Sequence, residues 1–145
     1  MEPLIFRSRD FPLVPHEDEG LNPGILGKSL SRWIVRTLEG TRFAITEEIE
    51  EDFGYCLMVH RRPYWLWVGC VGTPGRDYPE GGLTETIAAG FPLESIEWRV
   101  WVEAEWGLAS RALGRDEREK DMGELHALLR ERLAAECDVS FDRVP

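Results

Sequence analysis

The sequence predicts an α+β fold in which one single-layer, mainly antiparallel sheet of five to six strands carries two long helices on one face. Three observations support this prediction. Two segments have apolar residues at helical spacing, several short segments alternate between apolar and polar residues, and two of these flank a turn as in a β-hairpin. The predicted order is β-α-β-β-β-β-α-β, and the 145 residues are expected to form a single domain, 1–145.

The first helix is predicted to begin at Asn22, which suits the N-cap position, with Pro23 at the first helical position. Leu21 is placed to pack against Leu26 across this helix start. Apolar residues then recur at helical spacing as far as Gly40, a residue type that commonly follows the end of a helix.

The same stretch is close to the phosphate-binding pattern GxxxxGK[ST], because Gly27, Lys28 and Ser29 stand at its last three positions. However, Asn22 replaces the first glycine, and Pro23 removes a backbone N–H donor that a phosphate would need. An acidic run also precedes the stretch. We therefore interpret it as a helix start and not as a nucleotide site.

The other elements follow from local patterns. The predicted second helix begins with a capping-box-like Asp116 and Glu119, and its apolar side carries leucines at helical spacing. One or two helical turns are expected at 106–114, and residues 73–93, rich in Gly and Pro, are expected to form a long surface loop. Strands are expected within 4–14, 41–46, 53–60, 64–71, 95–105 and 137–144. The apolar side of the second helix consists of Met122, Leu125, Leu129 and Leu133.

Composition restricts the classes of function. The net charge of -10 argues against general binding to nucleic acid or to anionic membranes. The N-terminal segment lacks the pattern of a signal peptide and no segment is apolar enough to span a membrane, so a cytoplasmic protein is expected. The three cysteines and three histidines are scattered, without metal-ligand spacing, so neither a metal nor a cofactor is expected.

The sheet supplies the candidate binding surface. If the hairpin around residues 61–63 has a loop with an even number of residues, the aliphatic residues of its strands share one face and the tryptophans share the other, whereas an odd-length loop would break this arrangement. The second face then combines aromatic residues with a charged rim, which is the composition of a binding surface. The alternative is that the loop at 73–93 covers it and the tryptophans belong to the core. The candidate residues are Met58, His60, Trp65, Trp67 and Trp101, with Glu97, Arg99, Glu103 and Glu105 at the rim.

Two acidic stretches without a basic residue are a further candidate surface. They are interpreted either as solvated loops that keep the protein soluble or as a docking surface for a basic partner. Their residues are Glu17, Asp18 and Glu19 in the first stretch and Glu47, Glu48, Glu50, Glu51 and Asp52 in the second.

Several segments together resemble small, stand-alone bacterial proteins: NPGILG at 22–27, SRW at 31–33, EDFGY at 51–55, LWVGC at 66–70 and VEAE at 102–105. The resemblance spans most of the chain apart from the loop at 73–93. It implies a bacterial, cytoplasmic single domain, and it carries over no catalytic residue.

The function favoured by the sequence is that of a non-enzymatic protein that binds another protein, with a basic partner favoured by the acidic loops. An immunity or inhibitor-type protein fits the size, the acidity and the aromatic sheet face. The alternative is a small-molecule or carbohydrate-binding module, or a hydrolase using Glu103 and Glu105. These two residues share a face at roughly 6–7 Å along a strand, a separation at which carboxylates can divide acid and base roles.

Overall fold

The computed structural model of the protein describes residues 1–19, 22, 24–75, 78–105 and 115–142, with the side chains of the last range described from residue 117 onward. The predicted α+β fold with one antiparallel sheet is confirmed. The helices are α1 (Lys28–Leu38), α2 (Glu85–Gly90) and α3 (Arg115–Glu136), with a short 3₁₀ turn at Leu93–Ser95. The strands are β1 (Leu4–Ser8), β2 (Glu47–Glu51), β3 (Gly54–His60), β4 (Trp65–Thr73), β5 (Glu97–Glu105) and β6 (Val139–Phe141).

The strands lie in the order β2-β3-β4-β5-β1-β6, and each neighbouring pair is antiparallel. The β3–β4 hairpin meets the condition on which the two predicted faces depend, since Leu57 pairs with Val68, which in turn pairs with Val102 of β5. Strand β4 pairs with β5 along its whole length and lies near the centre of the sheet. Because β4 pairs with both β3 and β5, the register of these two ladders decides which residues of the three strands share a face.

One face of the sheet carries the core, and α1 and α3 pack against it. The predicted apolar side of α1 is confirmed, because Leu30, Ile34 and Leu38 are fully buried. The apolar side of α3 is confirmed as well, since Leu125, Leu129 and Leu133 are fully buried and Met122 is partly buried against the core. Burying these side chains removes a continuous apolar surface from water, which is the main driving force for this layered arrangement.

The prediction for residues 41–46 is wrong, because the strand in this region is β2 and it lies in the second acidic stretch. Glutamates have low intrinsic β propensity, but Ile49 at the centre of β2 pairs with Cys56 of β3, and the backbone of the whole stretch joins the ladder. Tertiary pairing overrides the local preference here, and the acidic stretch becomes an edge strand instead of a loop.

The predicted start of α1 is also wrong, since the helix begins at Lys28 and not after Asn22. Leu26 instead forms an antiparallel bridge with Gly72, in which the Leu26 N–H donates to Gly72 O at 2.9 Å and the Leu26 carbonyl oxygen accepts from the Gly72 N–H at 2.7 Å. Gly27 then turns the chain into the helix with φ of 152°, a conformation that favours glycine. The predicted roles of residues 21 and 23 lie outside the described residues.

A distant carboxylate caps this helix start. The N–H groups of Gly27 and Lys28 donate to Glu17 Oε1 at 2.9 and 3.2 Å, and the N–H of Val14 donates to Glu17 Oε2 at 2.6 Å. Glu17 is buried. The chain's own carboxylate therefore takes up N–H groups that a phosphate would need at this position, in agreement with the interpretation of the stretch as a helix start.

The expectation of a loop throughout 73–93 is wrong in part, because the segment contains α2. Thr84 caps α2 by accepting a hydrogen bond from Ile87 N–H, and the buried side chains of Leu83 and Ala88 join the core. The helical turns expected at 106–114 and the side chain of Asp116 lie outside the described residues.

A polar network ties α3 to the rest of the fold. The Tyr64 hydroxyl donates to Asp121, whose other oxygen accepts from Arg42 at 2.8 Å. Arg42 also pairs with Glu124. Burial alone would raise the pKa of Asp121, but the hydrogen bonds from Tyr64 and Arg42 outweigh it and lower the pKa.

We predict that Glu17→Ala lowers the free energy of unfolding by about 1–3 kcal/mol, because it leaves buried N–H donors without an acceptor. Urea denaturation measures this change. The matched control is Glu19→Ala, since Glu19 is exposed and contacts His16 at the surface; this variant should stay within about 0.5 kcal/mol of the wild type. Equal effects of the two substitutions would contradict the capping role.

We predict that Asp121→Asn lowers the melting temperature near neutral pH. The difference in melting temperature between variant and wild type should shrink as the pH falls below 3.8, the ordinary pKa of Asp. A lowered folded-state pKa means that the ionised carboxylate stabilises the fold above the unfolded value, and this contribution disappears as the pH falls through the folded value. Thermal unfolding across this pH range measures the effect. The control is Glu131→Gln, a substitution at an exposed position of α3. A melting-temperature difference between Asp121→Asn and the wild type that does not change with pH would contradict the stabilising role of the ionised Asp121.

Candidate functional site

The face of the sheet opposite α1 and α3 carries a cluster of aromatic and other apolar side chains. Alternation along β4 and β5 brings Trp65, Trp67 and Trp101 to this side. Phe53 adds a fourth ring from the turn between β2 and β3. We call this surface the aromatic face, and define it by Ile49, Phe53, Met58, Trp65, Trp67 and Trp101.

The position of Trp101 depends on a glycine in the neighbouring strand. Gly69 lies directly opposite Trp101 in the β4–β5 ladder. A Cβ atom added to Gly69 would lie 2.2 Å from Trp101 Cε2, which is impossible without movement. The indole therefore lies over Gly69, where no side chain projects toward it.

Three rings of the aromatic face contact one another. The ring centroids of Phe53 and Trp67 are 5.9 Å apart, those of Phe53 and Trp101 are 5.5 Å apart, and those of Trp67 and Trp101 are 6.3 Å apart. These separations are typical of favourable aromatic pairs. The three rings therefore pack against one another on the sheet face opposite α1 and α3.

The aromatic face is partly exposed. Trp65 has 43% and Phe53 has 40% of its surface accessible, whereas Met58 is buried and forms part of the floor. A depression of about 410 Å³ lies beside the rings, between β2 and the Trp65 end of β4. Its lining includes Ile49, Cys56 and Trp67. The buried residues of the 73–93 segment, Leu83 and Ala88, join the helix-side core instead of packing on this face.

Charged residues surround the rings. Arg61 pairs with Glu47 at 2.7 Å and lies over the Trp65 ring at 5.1 Å from its centroid. Arg99 pairs with Glu97 at 2.9 Å. Both guanidinium groups are therefore neutralised within the face. The remaining carboxylates on this side form no ion pair among the described residues, and they are Glu51, Glu103 and Glu105.

The structure brings together all but one of the residues that the sequence placed on this surface. The exception is His60, because a register shift between Met58 and His60 pairs it with Leu66, a residue of the core face. His60 Nδ1 lies 2.9 Å from Tyr64 O. Sequence alternation assumes an uninterrupted strand, so it could not show this shift.

Sequence reasoning missed Phe53 and Ile49, which complete the aromatic face. Phe53 was missed because the sequence placed it in the strand expected at 53–60, where alternation puts it on the face of Leu57, whereas in the structure it lies in the turn before β3. Ile49 was hidden because it lies within an acidic run that was interpreted as a loop. The segment VGCVG at 68–72 contains a signal for this surface, because glycine inside a strand often marks the close approach of another group. Gly69 in this segment could have indicated the contact with Trp101.

The acidic stretches do not form one surface. Glu17 is buried at the start of α1, Asp18 accepts a hydrogen bond from the Tyr78 hydroxyl, and Glu19 pairs with His16. In the second stretch, alternation along β2 divides the residues: Glu48 and Glu50 lie on the helix side, whereas Glu47 and Glu51 lie on the side of the aromatic face. Asp52 follows in the turn that leads to Phe53, and its side chain is exposed.

The nucleophile nearest to the aromatic face is Cys56. Burial raises the pKa of its thiol to about 11, and Glu51 and Glu105 add to this rise. The thiol is therefore protonated at neutral pH and a poor nucleophile. Among the described residues, no group of three or more His, Cys, Asp or Glu side chains is arranged to hold a metal ion.

No protein-family model, no curated protein and no solved structure matches this chain. Within the described part of the chain, no helix is both long enough and apolar enough to cross a membrane. A function must therefore be argued from the geometry and chemistry of the site itself.

We predict that Gly69→Ala lowers the free energy of unfolding by about 1–3 kcal/mol and moves the Trp101 indole, because the new methyl group overlaps the ring. Denaturation and tryptophan fluorescence measure the two effects. The control is Gly75→Ala, where the nearest atom to the new Cβ, Ser95 O, lies 3.8 Å away. A Gly69→Ala variant with wild-type stability and fluorescence would contradict the close packing.

Proposed function

We propose that the protein is a non-enzymatic binding protein that recognises another protein through the aromatic face. The observation that carries this proposal is the group of contacting rings on the sheet side away from α1 and α3, with Trp65 and Phe53 substantially exposed. Large aromatic side chains held rigidly at a surface are the residues that most often dominate binding energy in protein interfaces. Phe53, Trp67 and Trp101 already pack against one another, so ordering these three rings on binding costs little conformational entropy.

The charge around the aromatic face favours a basic partner. Its two arginines pair with glutamates of the same face, whereas Glu51, Glu103 and Glu105 remain without an ion pair among the described residues. The uncompensated charge is negative and the net charge of the whole chain is -10. Such a field accelerates association with a positively charged surface. An immunity or inhibitor-type protein, which neutralises a basic protein by covering it, would use a surface of this kind.

Carbohydrate binding is a second candidate, and the depression of about 410 Å³ beside Trp65 and Trp67 favours it. Tryptophan faces can stack on sugar rings, and Glu105 at the same depression can accept hydrogen bonds from hydroxyl groups. Glu103 and Glu105 share this face, so a hydrolase that uses this pair belongs to the same candidate.

We predict that Trp65→Ala weakens binding to the physiological protein partner by about 2 kcal/mol or more while changing the stability of the free protein little, because Trp65 is exposed. Affinity capture from a lysate of the native host with the wild-type chain and this variant, followed by calorimetry on the recovered partner, measures the effect.

The charge reversal Glu103→Lys should slow association with the same partner, and the effect should weaken at high salt. The control is Glu131→Lys on α3, which makes the same charge change at an exposed site away from the aromatic face. A recovered protein that binds all of these variants equally would contradict the proposal. Binding of oligosaccharides that requires Trp65 would favour the second candidate instead.

A further inference from the structure

A second pocket lies on the helix side of the sheet, between α1 and β2. Its volume is about 300 Å³, at the lower end of the roughly 300–1,000 Å³ that ligand sites occupy. It is separate from the aromatic face, because β2 and β3 lie between them. Its lining consists of Lys28, Ser31 and Arg32 of α1, Glu48 and Glu50 of β2, and Tyr55 of β3.

The two walls of this pocket carry opposite charges. Lys28 and Arg32 are one turn apart on α1, so they project from the same side of the helix. Glu48 and Glu50 alternate along β2, so they share the sheet face toward α1. None of these four side chains forms an ion pair with any described residue. Two cations and two anions thus face one cavity without neutralising each other directly.

The floor of the pocket holds a polar group without a partner. Tyr55 is only 5% exposed, and its hydroxyl oxygen forms no hydrogen bond with any described residue. The ring is fixed by close packing, since a Cβ added to Gly27 would lie 3.0 Å from Tyr55 Cδ2. A buried hydroxyl normally has a partner, because its desolvation is otherwise uncompensated. This hydroxyl is therefore placed to bond to something that enters the pocket.

The hydroxyl is a donor at neutral pH. Burial raises the pKa of Tyr55, the nearby carboxylates of Glu17 and Glu50 raise it further, and Arg32 opposes them. A protonated phenol donates to an anionic oxygen most strongly.

We propose that the pocket between α1 and β2 binds a small zwitterion of the α-amino-acid class. The ligand carboxylate lies against Lys28 and Arg32 and accepts a hydrogen bond from the Tyr55 hydroxyl. The ligand ammonium group lies against Glu48 and Glu50. The N–H groups of Gly27 and Lys28 at the helix start are already bonded to Glu17, so side chains and not the backbone recognise the anion.

This inference is independent of the proposed protein binding, because it concerns the opposite side of the sheet and different residues. A variant that no longer binds the amino acid can therefore still be tested for binding of the protein partner, and the reverse also holds. A singly charged ligand gains less, because it can form charge-assisted hydrogen bonds with only one of the two walls.

The test is calorimetry and thermal unfolding of the full chain with each common α-amino acid at millimolar concentration. We expect at least one amino acid to bind and to raise the melting temperature, as a ligand specific for the folded state must. Its N-acetyl derivative and its amide, which each lack one charge, should bind more weakly by about tenfold or more. Absence of binding by every amino acid, or equal binding of the singly charged derivatives, would overturn the proposal.

The variant Tyr55→Phe should reduce the affinity for that amino acid by about tenfold or more, yet leave the melting temperature of the free protein unchanged or higher, because the removed hydroxyl has no protein partner. Tyr64→Phe is the matched control. Its ring is equally buried but its hydroxyl donates to Asp121, so this variant should lose stability and retain affinity. Wild-type affinity in Tyr55→Phe would overturn the proposal.

Two exposed substitutions test the charged walls without risk to the core. Arg32→Gln and Glu50→Gln should each weaken binding of the amino acid. The controls are Arg36→Gln, one turn further along α1, and Glu51→Gln, the next residue of β2 on the opposite face. Equal affinities in each variant and its control would show that the pocket does not recognise the ligand charges, and would also overturn the proposal.

Discussion

The packing of two tryptophans of β5 against two glycines of β4 is the constraint on which both faces of the sheet depend. A Cβ on Gly69 would lie 2.2 Å from Trp101, and a Cβ on Gly72 would lie 2.4 Å from Trp98. The two glycines are three residues apart, so one indole lies on each face of the sheet. Trp98 contacts Phe11 in the core, whereas Trp101 contacts the rings of the aromatic face. One strand pair therefore positions the centre of the fold and the candidate interface together.

Strand β2 divides the acidic residues of the chain between two surfaces. Glu47 and Glu51 lie beside the aromatic face, whereas Glu48 and Glu50 face α1 and the smaller pocket. This separation follows from the two-residue period of a strand, in which neighbours point to opposite sides. As an edge strand, β2 also carries a row of like charges, which disfavours pairing with a second copy of itself. The same run of glutamates thus lines both the aromatic face and the smaller pocket, and its charges disfavour pairing of the edge strand with another chain.

The beginning of α1 shows how a local pattern can be reassigned by contacts from elsewhere in the chain. Leu26 bonds to Gly72 of β4, and the carboxylate of Glu17 accepts from the first N–H groups of the helix. These two contacts connect the N-terminal segment, the helix and the centre of the sheet. They also position Lys28 at the rim of the smaller pocket, because the helix starts at that residue.

The sequence by itself determined the class of fold, the buried sides of the two long helices, the hairpin and the division of β5 into a buried apolar side and a side on which charged residues flank Trp101. These features depend on periodicity within one segment, which is local. Only the tertiary structure decided that α1 begins at Lys28, that the acidic run pairs as β2, and that His60 leaves the aromatic face. Each of these depends on partners distant in the chain, namely Glu17 and Gly72 for the helix, the backbone of β3 for the strand, and the register of β4 for the histidine. A local pattern cannot encode such partners, because the free energy of a hydrogen bond or of buried area depends on which groups the fold brings together.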